Sequence, residues 1–441
     1  MSVTVIGAGL AGCECAYQIA KRGVGVDLYE MKPTKMTPAH HSEDFAELVC
    51  SNSLRSAVIT NAVGLLKEEM RALDSLIMEA ADNCRVEAGS ALAVDRTAFS
   101  RYITEKIRNN ENITVHGEEV TEIPDCELCV IASGPLTSDA LASSILKFAG
   151  VKALSFFDAA APIVDASSID YGKAFFASRY GKGEPDSYLN LPMTKEEYGQ
   201  FYEALISAKE AELKDFDKEE QDSLTVFEGC MPVEVMARRG VDTLRFGPMK
   251  PVGLPVPSTG KDAYATVQLR KENNEGTMFN IVGFQTHLTF AEQKRVFSMI
   301  PGLENAHFLR YGVMHRNTFL DSPKLLNSDY SLKKDSRYFF AGQMTGVEGY
   351  VESASSGLLC GIAAAFKALG KKAPDFPSTT AIGALAHYVS ESVGTPFQPM
   401  NVNFGIIDAL ETKVKGGKAK KNEALAERAL SVIRELSEIV K

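Results

Sequence analysis

The chain of 441 residues has no tryptophan, and its eight cysteines, at positions 13, 15, 50, 84, 126, 129, 230 and 360, form no dense, evenly spaced framework. That pattern excludes a disulfide-stapled secreted scaffold and fits a reduced, cytoplasmic protein. No apolar run approaches the roughly 18 residues of a membrane span. Met1 leads straight into an apolar strand without a basic leader, so no signal peptide and no membrane attachment are expected. An excess of positive charge is missing too. The formal net charge is −10, the opposite of the basic balance common in nucleic-acid binders. What is present is ordinary for a globular chain, with 45% hydrophobic and 24% charged residues. At roughly 150 residues per domain, two or three domains are expected.

The chain opens as a βαβ unit. Ser2 to Ile6 is an apolar run of strand length, a glycine turn follows, Cys13 to Lys21 reads as helix, and a second strand runs from Gly25 to Glu30. Apolar residues from Asn61 to Ala81 recur at helical spacing, and Asp95 is an N-cap candidate for a helix through Ile107. The texture changes near residue 150. Thr194 to Glu197 is a capping-box pattern expected to open a helix of about 20 residues. Tyr264 to Arg270 and Met278 to Phe284 read as strands of an antiparallel sheet. A strand at Arg337 to Ala341 and a small-residue helix from Val351 to Leu369 resume the α/β texture, and an amphipathic helix is expected from Glu423 to Val440.

Gly7-Ala8-Gly9-Leu10-Ala11-Gly12 lies between strand and helix, where a dinucleotide site requires it. Gly7 permits the turn, Gly9 lets backbone approach a pyrophosphate over the helix N-terminus, and Gly12 lets helix and strand pack closely. Glu30 ends the second strand, where an acid binds ribose hydroxyls. Two further strands end in glycine, at Gly134 and Gly342, the latter followed by Gln343 and a helix bearing Gly357 and Gly361. Three such crossings at one sheet edge resemble the FAD domain of glutathione-reductase-type flavoproteins, in which Asp often stands where this chain has Gln343. The expected fold is therefore α/β. A discontinuous FAD-binding Rossmann-like domain (residues 1–150 and 325–441) carries an inserted, largely antiparallel α+β domain (residues 151–324). No second GxGxxG marks a separate NAD(P)H domain.

Cysteine narrows the flavoenzyme class. A disulfide reductase of this fold carries two neighbouring cysteines after the first βαβ unit, whereas here Cys50 stands alone. Cys126 and Cys129 form a CxxC without the further ligands a zinc site needs, so no metal is expected. Cys13 and Cys15 read as small buried helix residues. Cys50 and Cys230 are candidate reactive thiols on loops, against the alternative of inert buried cysteines.

Six strings are more specific. They are Met36–His40 (Met-Thr-Pro-Ala-His), Val49–Leu54 (Val-Cys-Ser-Asn-Ser-Leu), Phe246–Gly253 (Phe-Gly-Pro-Met-Lys-Pro-Val-Gly), Gly283–His287 (Gly-Phe-Gln-Thr-His), Met314–Asn317 (Met-His-Arg-Asn) and Gly346–Ser353 (Gly-Val-Glu-Gly-Tyr-Val-Glu-Ser). In this order they resemble the folate- and FAD-dependent tRNA (uracil-5-)-methyltransferases, the short Gid family, over nearly the whole chain. A related larger flavoprotein that modifies wobble uridines has a long helical C-terminal extension for which this chain is too short.

The resemblance implies transfer of a carbon from 5,10-methylenetetrahydrofolate to C5 of a T-loop uridine in tRNA. FAD is the implied reductant, reloaded by NAD(P)H. C5 of uracil is a poor nucleophile. A thiolate adding to C6 makes C5 enolate-like, and a second group must then remove the C5 proton. The resemblance assigns these roles to Cys50 (nucleophile) and Cys230 (base or partner), in an order that can be reversed. It also places His287 against the folate and Tyr350 near the flavin ring. His315, Arg316 and Asn317 either line the site or cap a turn.

For RNA contacts the candidates are Lys413, Lys415, Lys418, Lys420 and Lys421, against the alternative of a solvated loop before the last helix. Arg238, Arg239 and Arg245 are a second set. Three readings remain beside the main one: the same folate and FAD chemistry on a 23S ribosomal RNA uridine, an NAD(P)H-linked flavoprotein oxidoreductase of small molecules, and a non-catalytic flavin-bearing RNA-binding or assembly protein. The choice between NADH and NADPH, and the oligomeric state, stay open at this point.

Overall fold

The computed structural model describes residues 2–37, 39–150, 154–159, 161–181, 184–211, 231–273, 275–312, 314–392, 397–412 and 414–441; side chains of 154–159 and 314–318 are outside this description.

Five parallel strands make the first sheet, in the order Tyr338–Phe340, Cys129–Ile131, Ser2–Ile6, Gly25–Tyr29, Ile113–His116. Val3, Val5 and all of Cys129–Ile131 are buried, as expected of central parallel strands covered on both faces. Helix Leu10–Lys21 packs on helix Tyr350–Ala368. Gly357 faces Ala11 across that contact so closely that a Cβ there would stand 2.2 Å from the Ala11 carbonyl oxygen. Gly357 and Gly361 thus serve helix-on-helix approach rather than a ligand.

Residues 61–81 do not form one helix but two, Ala62–Ala72 and Leu76–Asn83. Asn61 and Ser75 each cap a helix with their side chains, and Asp74 takes φ +56 at the break. Periodicity alone does not register such an internal N-cap.

A six-stranded antiparallel sheet forms a second layer, in the order Phe175–Phe176, Leu189–Met193, Ala265–Lys271, Met278–Ile281, Ile163–Asp165, Phe308–Arg310. Its own core runs from Val164 to Phe308, whereas the core around the parallel sheet draws on residues 3–145 and 320–440. Strands Leu154–Ala159 and Met314–Phe319 pair antiparallel where the chain passes between the two cores. The Thr194 capping box is present, with Thr194 and Glu197 exchanging hydrogen bonds, but the helix spans Lys195–Ile206, shorter than expected. The last helix starts at Gly417, six residues earlier than the amphipathic pattern indicated.

The two layers meet at a polar seam. Arg270 donates to Asn52 Oδ1 (2.9 Å) and Ser51 Oγ (2.9 Å), Asn52 donates to the Lys271 carbonyl (3.0 Å), and Arg96 pairs with the buried Glu272 (2.8 Å). Breaking such a buried pair from one side costs about 3–5 kcal/mol.

Candidate active site

The three glycine-ended strands converge on one cleft. Its floor is backbone. Gly7 has φ +100, donates its N–H to the Tyr29 carbonyl (2.7 Å), and lies so near the crossing that ends at Gly134 that a Cβ would meet Ala132 O at 2.7 Å. A Cβ on Gly12 would fall 1.8 Å from Gly7 O, so Gly12 serves packing of helix on turn. A Cβ on Gly9 would meet nothing within 4 Å. Gly9 is also the N-cap of helix Leu10–Lys21, and no side chain caps that helix. Free N–H groups at a helix start, beside open space, are what a pyrophosphate needs.

Glu30 closes the far end of the cleft. Its carboxylate accepts from Ala8 N (2.8 Å) and Lys32 N (3.0 Å). A carboxylate has about four lone-pair sites, so capacity remains for two ribose hydroxyls. Ala8, Leu10 and Ala11 line the same cleft, as do Gly134, Gly342, Gln343 and Tyr350. Gln343 Nε2 donates to Glu348 (2.9 Å), while Gly342 N donates to Ser356 Oγ (2.8 Å). An uncapped helix start, an open glycine and a ribose-binding acid around one elongated cleft fit FAD.

Cys50 stands against this cleft through Tyr350, the first residue of its helix. The Tyr350 oxygen accepts N–H bonds from Cys50 (2.8 Å) and Ser51 (3.3 Å), and lies 2.8 Å from Cys50 Sγ. A phenol has two acceptor sites and one proton. With both acceptor sites used by backbone, the proton is directed at the sulfur. Burial, and then the neighbouring Cys50, push the Tyr350 phenol well above its usual range, so it stays protonated. Two guanidinium groups bear on this pair: those of Arg96, which donates to Leu48 O, and Arg310, which donates to Ala39 O. Burial lowers the Arg310 pKa, and repulsion from Arg96 adds to it. Neither arginine has a local motif. Arg96 follows the helix N-cap Asp95, and Arg310 ends an edge strand.

Cys230 lies outside the described residues. Its neighbour Met231 lines a shallow hollow with Met236, Arg239 and Phe246. His287 does not line the flavin cleft but is held firmly. Nδ1 pairs with Glu210 (3.4 Å), and its backbone N–H donates to the fully buried Glu234 (2.7 Å). The hydrogen bond to His287, helped by Arg238, holds the Glu210 carboxyl down at about 2 against the cost of partial burial. The side chains of His315, Arg316 and Asn317 are outside the description.

Lys415, Lys418, Lys420 and Lys421 are all exposed, whereas Lys413 is outside the described residues. Lys418, Lys420 and Lys421 stand on the first turns of the last helix rather than in a loop before it, and Lys420 pairs with Glu423 (3.1 Å). In the second set, Arg238 pairs with Glu210 and Arg245 lies 3.7 Å over the Tyr264 ring, so only Arg239 has no side-chain partner among the described residues. Among the described residues no group of three or more His, Cys, Asp or Glu is placed to hold a metal ion, and no helix is long and apolar enough to cross a membrane.

Residues 2–372 match the family described as "Glucose inhibited division protein A". Two relatives named methylenetetrahydrofolate--tRNA-(uracil-5-)-methyltransferase TrmFO are similar along their whole length. The protein of Acetivibrio thermocellus is 62% identical, covering 98% of each chain. That of Listeria monocytogenes serotype 4b is 60% identical, covering 99% of each. The solved structure of Aquifex aeolicus GidA, at 17% identity, shares the fold with a TM-score of 0.70 over 99% of this chain and 73% of that one. The chain belongs to the glucose inhibited division protein A family and, within it, to the TrmFO methyltransferases.

Proposed function

We propose that this protein methylates C5 of a T-loop uridine in tRNA, taking the carbon from 5,10-methylenetetrahydrofolate. The full-length identity to TrmFO enzymes supports the reaction class. The observation that carries the chemistry is a thiol, Cys50, hydrogen-bonded at 2.8 Å to a phenol that lines the flavin cleft. FAD, reloaded by NAD(P)H, supplies the reducing equivalents that take the one-carbon unit from methylene to methyl. Gly9 and the first turn of the helix that starts at Leu10 would hold its pyrophosphate, with Gly7 shaping the turn, and Glu30 would hold its ribose.

The remaining steps belong to this chain. The target uridine leaves its stack to reach the cleft, as base-modifying enzymes require. Cys50 as thiolate adds to C6, forming a C–S bond and moving an electron pair toward C5, which then takes the carbon. A donor aimed at the sulfur and two nearby guanidinium groups favour the anionic thiol. Tyr350 orients Cys50 from outside the bond-making atoms. Cys230 removes the C5 proton, the carbon's bond to the folate nitrogen breaks with its electron pair going to nitrogen, and once the carbon is reduced to methyl the C–S bond breaks and returns its electron pair to Cys50. We assign His287, held by Glu210 and Glu234, to stacking on the folate. The lysines that open the last helix give an acidic chain one basic face for phosphates, with salt-sensitive binding. We assign residues 1–150 and 325–441 to the FAD domain and 151–324 to an inserted domain, a division supported by the two separate cores. We place the protein in the cytoplasm, where its RNA substrate resides.

Purified protein given tRNA, methylenetetrahydrofolate and NADPH should produce 5-methyluridine. Product on ribosomal RNA only, or NADPH turnover that needs neither RNA nor folate, would overturn the assignment.

A further inference from the structure

The string Phe246–Gly253 has no part in the chemistry proposed above. It opens with Phe246, which at 83% exposure is the most exposed large apolar side chain among the described residues. A lone exposed apolar side chain needs no explanation, but this one is not alone. It lines the shallow hollow together with Met231, Met236, Arg239, Thr243 and Gly247. Two short helices, Val233–Arg238 and Thr243–Phe246, build that hollow. Ala237 and Leu244 anchor them by burial, and Met249 N donates to the Leu244 carbonyl (2.8 Å), closing the turn that follows Phe246. Charge singles out one residue beside the ring. Arg238 pairs with Glu210 and Arg245 with Asp242 (2.6 Å), whereas the exposed Arg239 has no side-chain partner among the described residues.

The hollow adjoins the segments assigned to the reaction. Met231 directly follows Cys230 in the chain. Val233 N donates to the Gln285 carbonyl (2.7 Å), and Thr286 Oγ1 donates to the Glu234 carboxylate (2.9 Å). Pro248 packs so tightly on Gly283 that a Cβ there would stand 2.6 Å from it. The walls of the hollow therefore rest on Gly283–His287.

We propose that Phe246 and Arg239 form a nucleotide platform: the ring stacks an unpaired RNA base next to the target uridine, and the guanidinium takes that nucleotide's phosphate. The proposal rests on the reading that the substrate is RNA. Sequence-specific RNA recognition targets loops whose splayed bases stack on aromatic rings, and an unpaired cation beside the ring complements the backbone charge. A neighbouring base held on Phe246 would keep the loop open while the target uridine is out of its stack. Folate suits this surface less well, since small-molecule sites enclose most of their ligand and this hollow is shallow.

The test uses full-length, flavin-loaded protein and a transcribed T-arm hairpin, with binding followed by fluorescence anisotropy over a salt series. Phe246→Ala should weaken hairpin binding about 5- to 100-fold, the range for losing one stacked base, with an unchanged salt slope. Phe246→Tyr should bind like wild type. Arg239→Gln should flatten the salt slope by roughly 0.7, as for one contact to single-stranded phosphate. Flavin absorbance and melting temperature should match wild type in all three, because neither side chain lines the flavin cleft. Hairpin affinity unchanged in both Phe246→Ala and Arg239→Gln overturns the platform. So does unchanged affinity with a raised KM for methylenetetrahydrofolate, which makes the hollow a folate site, or with loss of a dimer, which makes it a contact between copies. A wild type that binds the hairpin through Phe246 yet forms no 5-methyluridine sinks the proposed function and leaves the platform standing. A wild type that neither binds nor methylates the hairpin removes both.

Discussion

The flavin cleft and the wall that carries Cys50 adjoin each other and are built from different material. The dinucleotide cradle of the cleft is made over short stretches: a glycine turn, an uncapped helix start and a terminal acid, all within residues 7–30. The wall is made by side chains from distant segments. Tyr350 reaches Cys50 across 300 residues of sequence, and Arg96 and Arg310 arrive from two further elements. A backbone-built site depends on residues small enough to be absent. A side-chain-built site depends on polar groups that must stay paired, because an orphaned buried donor or acceptor costs about 1–3 kcal/mol. The difference predicts separable failures.

The largest effect should come from Gly12→Val. Its branches would collide with the Gly7 carbonyl, at about 3 kcal/mol or more, and little soluble, flavin-loaded protein should be recovered. Gly9→Ala is the contrasting case. It has open space on the protein side, so the melting temperature of the flavin-free protein should hardly move. Flavin affinity should fall at least about tenfold, or about 1.4 kcal/mol. Full flavin occupancy in Gly9→Ala would break the distinction between packing and cradle.

On the wall, Cys50→Ala should abolish tRNA methylation while the protein stays yellow. Tyr350→Phe should lower the methylation rate by about 10- to 100-fold, since two backbone N–H groups lose their acceptor and the thiol its donor. Near-normal single-turnover rates in Tyr350→Phe would remove the phenol from the mechanism. Replacing Lys413, Lys415, Lys418, Lys420 and Lys421 by Ala should weaken tRNA binding. It should also flatten its salt dependence by roughly 0.9 log units per lost phosphate contact, leaving flavin content unchanged. Binding that keeps its salt slope would make the cluster a solvated helix start.

The smallest effect concerns the clamp on His287. Glu210→Gln should raise the KM for methylenetetrahydrofolate several-fold with kcat nearly intact, and an unchanged KM would detach the clamp from folate binding. Glu210 has a folded pKa below its ordinary value, so its stabilisation is fully present above about pH 4.5 and is lost as pH falls toward 2. The pair is partly exposed, so screening limits this contribution to below about 1 kcal/mol. Acid titration of melting temperature in Glu210→Gln against wild type measures it.

What could be read from the residues alone follows from range. The βαβ start, the glycine turn, Glu30 and the return to α/β texture near residue 337 rest on neighbours within one or two elements. Strings around Cys50, His287 and Tyr350 carried the family. Local pattern failed where a single side chain overrides periodicity, as Ser75 does in splitting a helix, and where helix starts lack a side-chain cap, as at Gly416.

The sequence by itself determined the flavin-type fold, its glycine cradle and the identity of the candidate thiols, because each depends on residue type and near-neighbour spacing. Tertiary structure alone decided that Tyr350 spends both acceptor sites on backbone and points its proton at Cys50. It also decided that Arg96 and Arg310 flank that pair, and that Phe246 and Arg239 line one hollow. Burial, and the pairing of polar groups across hundreds of residues, exist only once the chain has closed on itself.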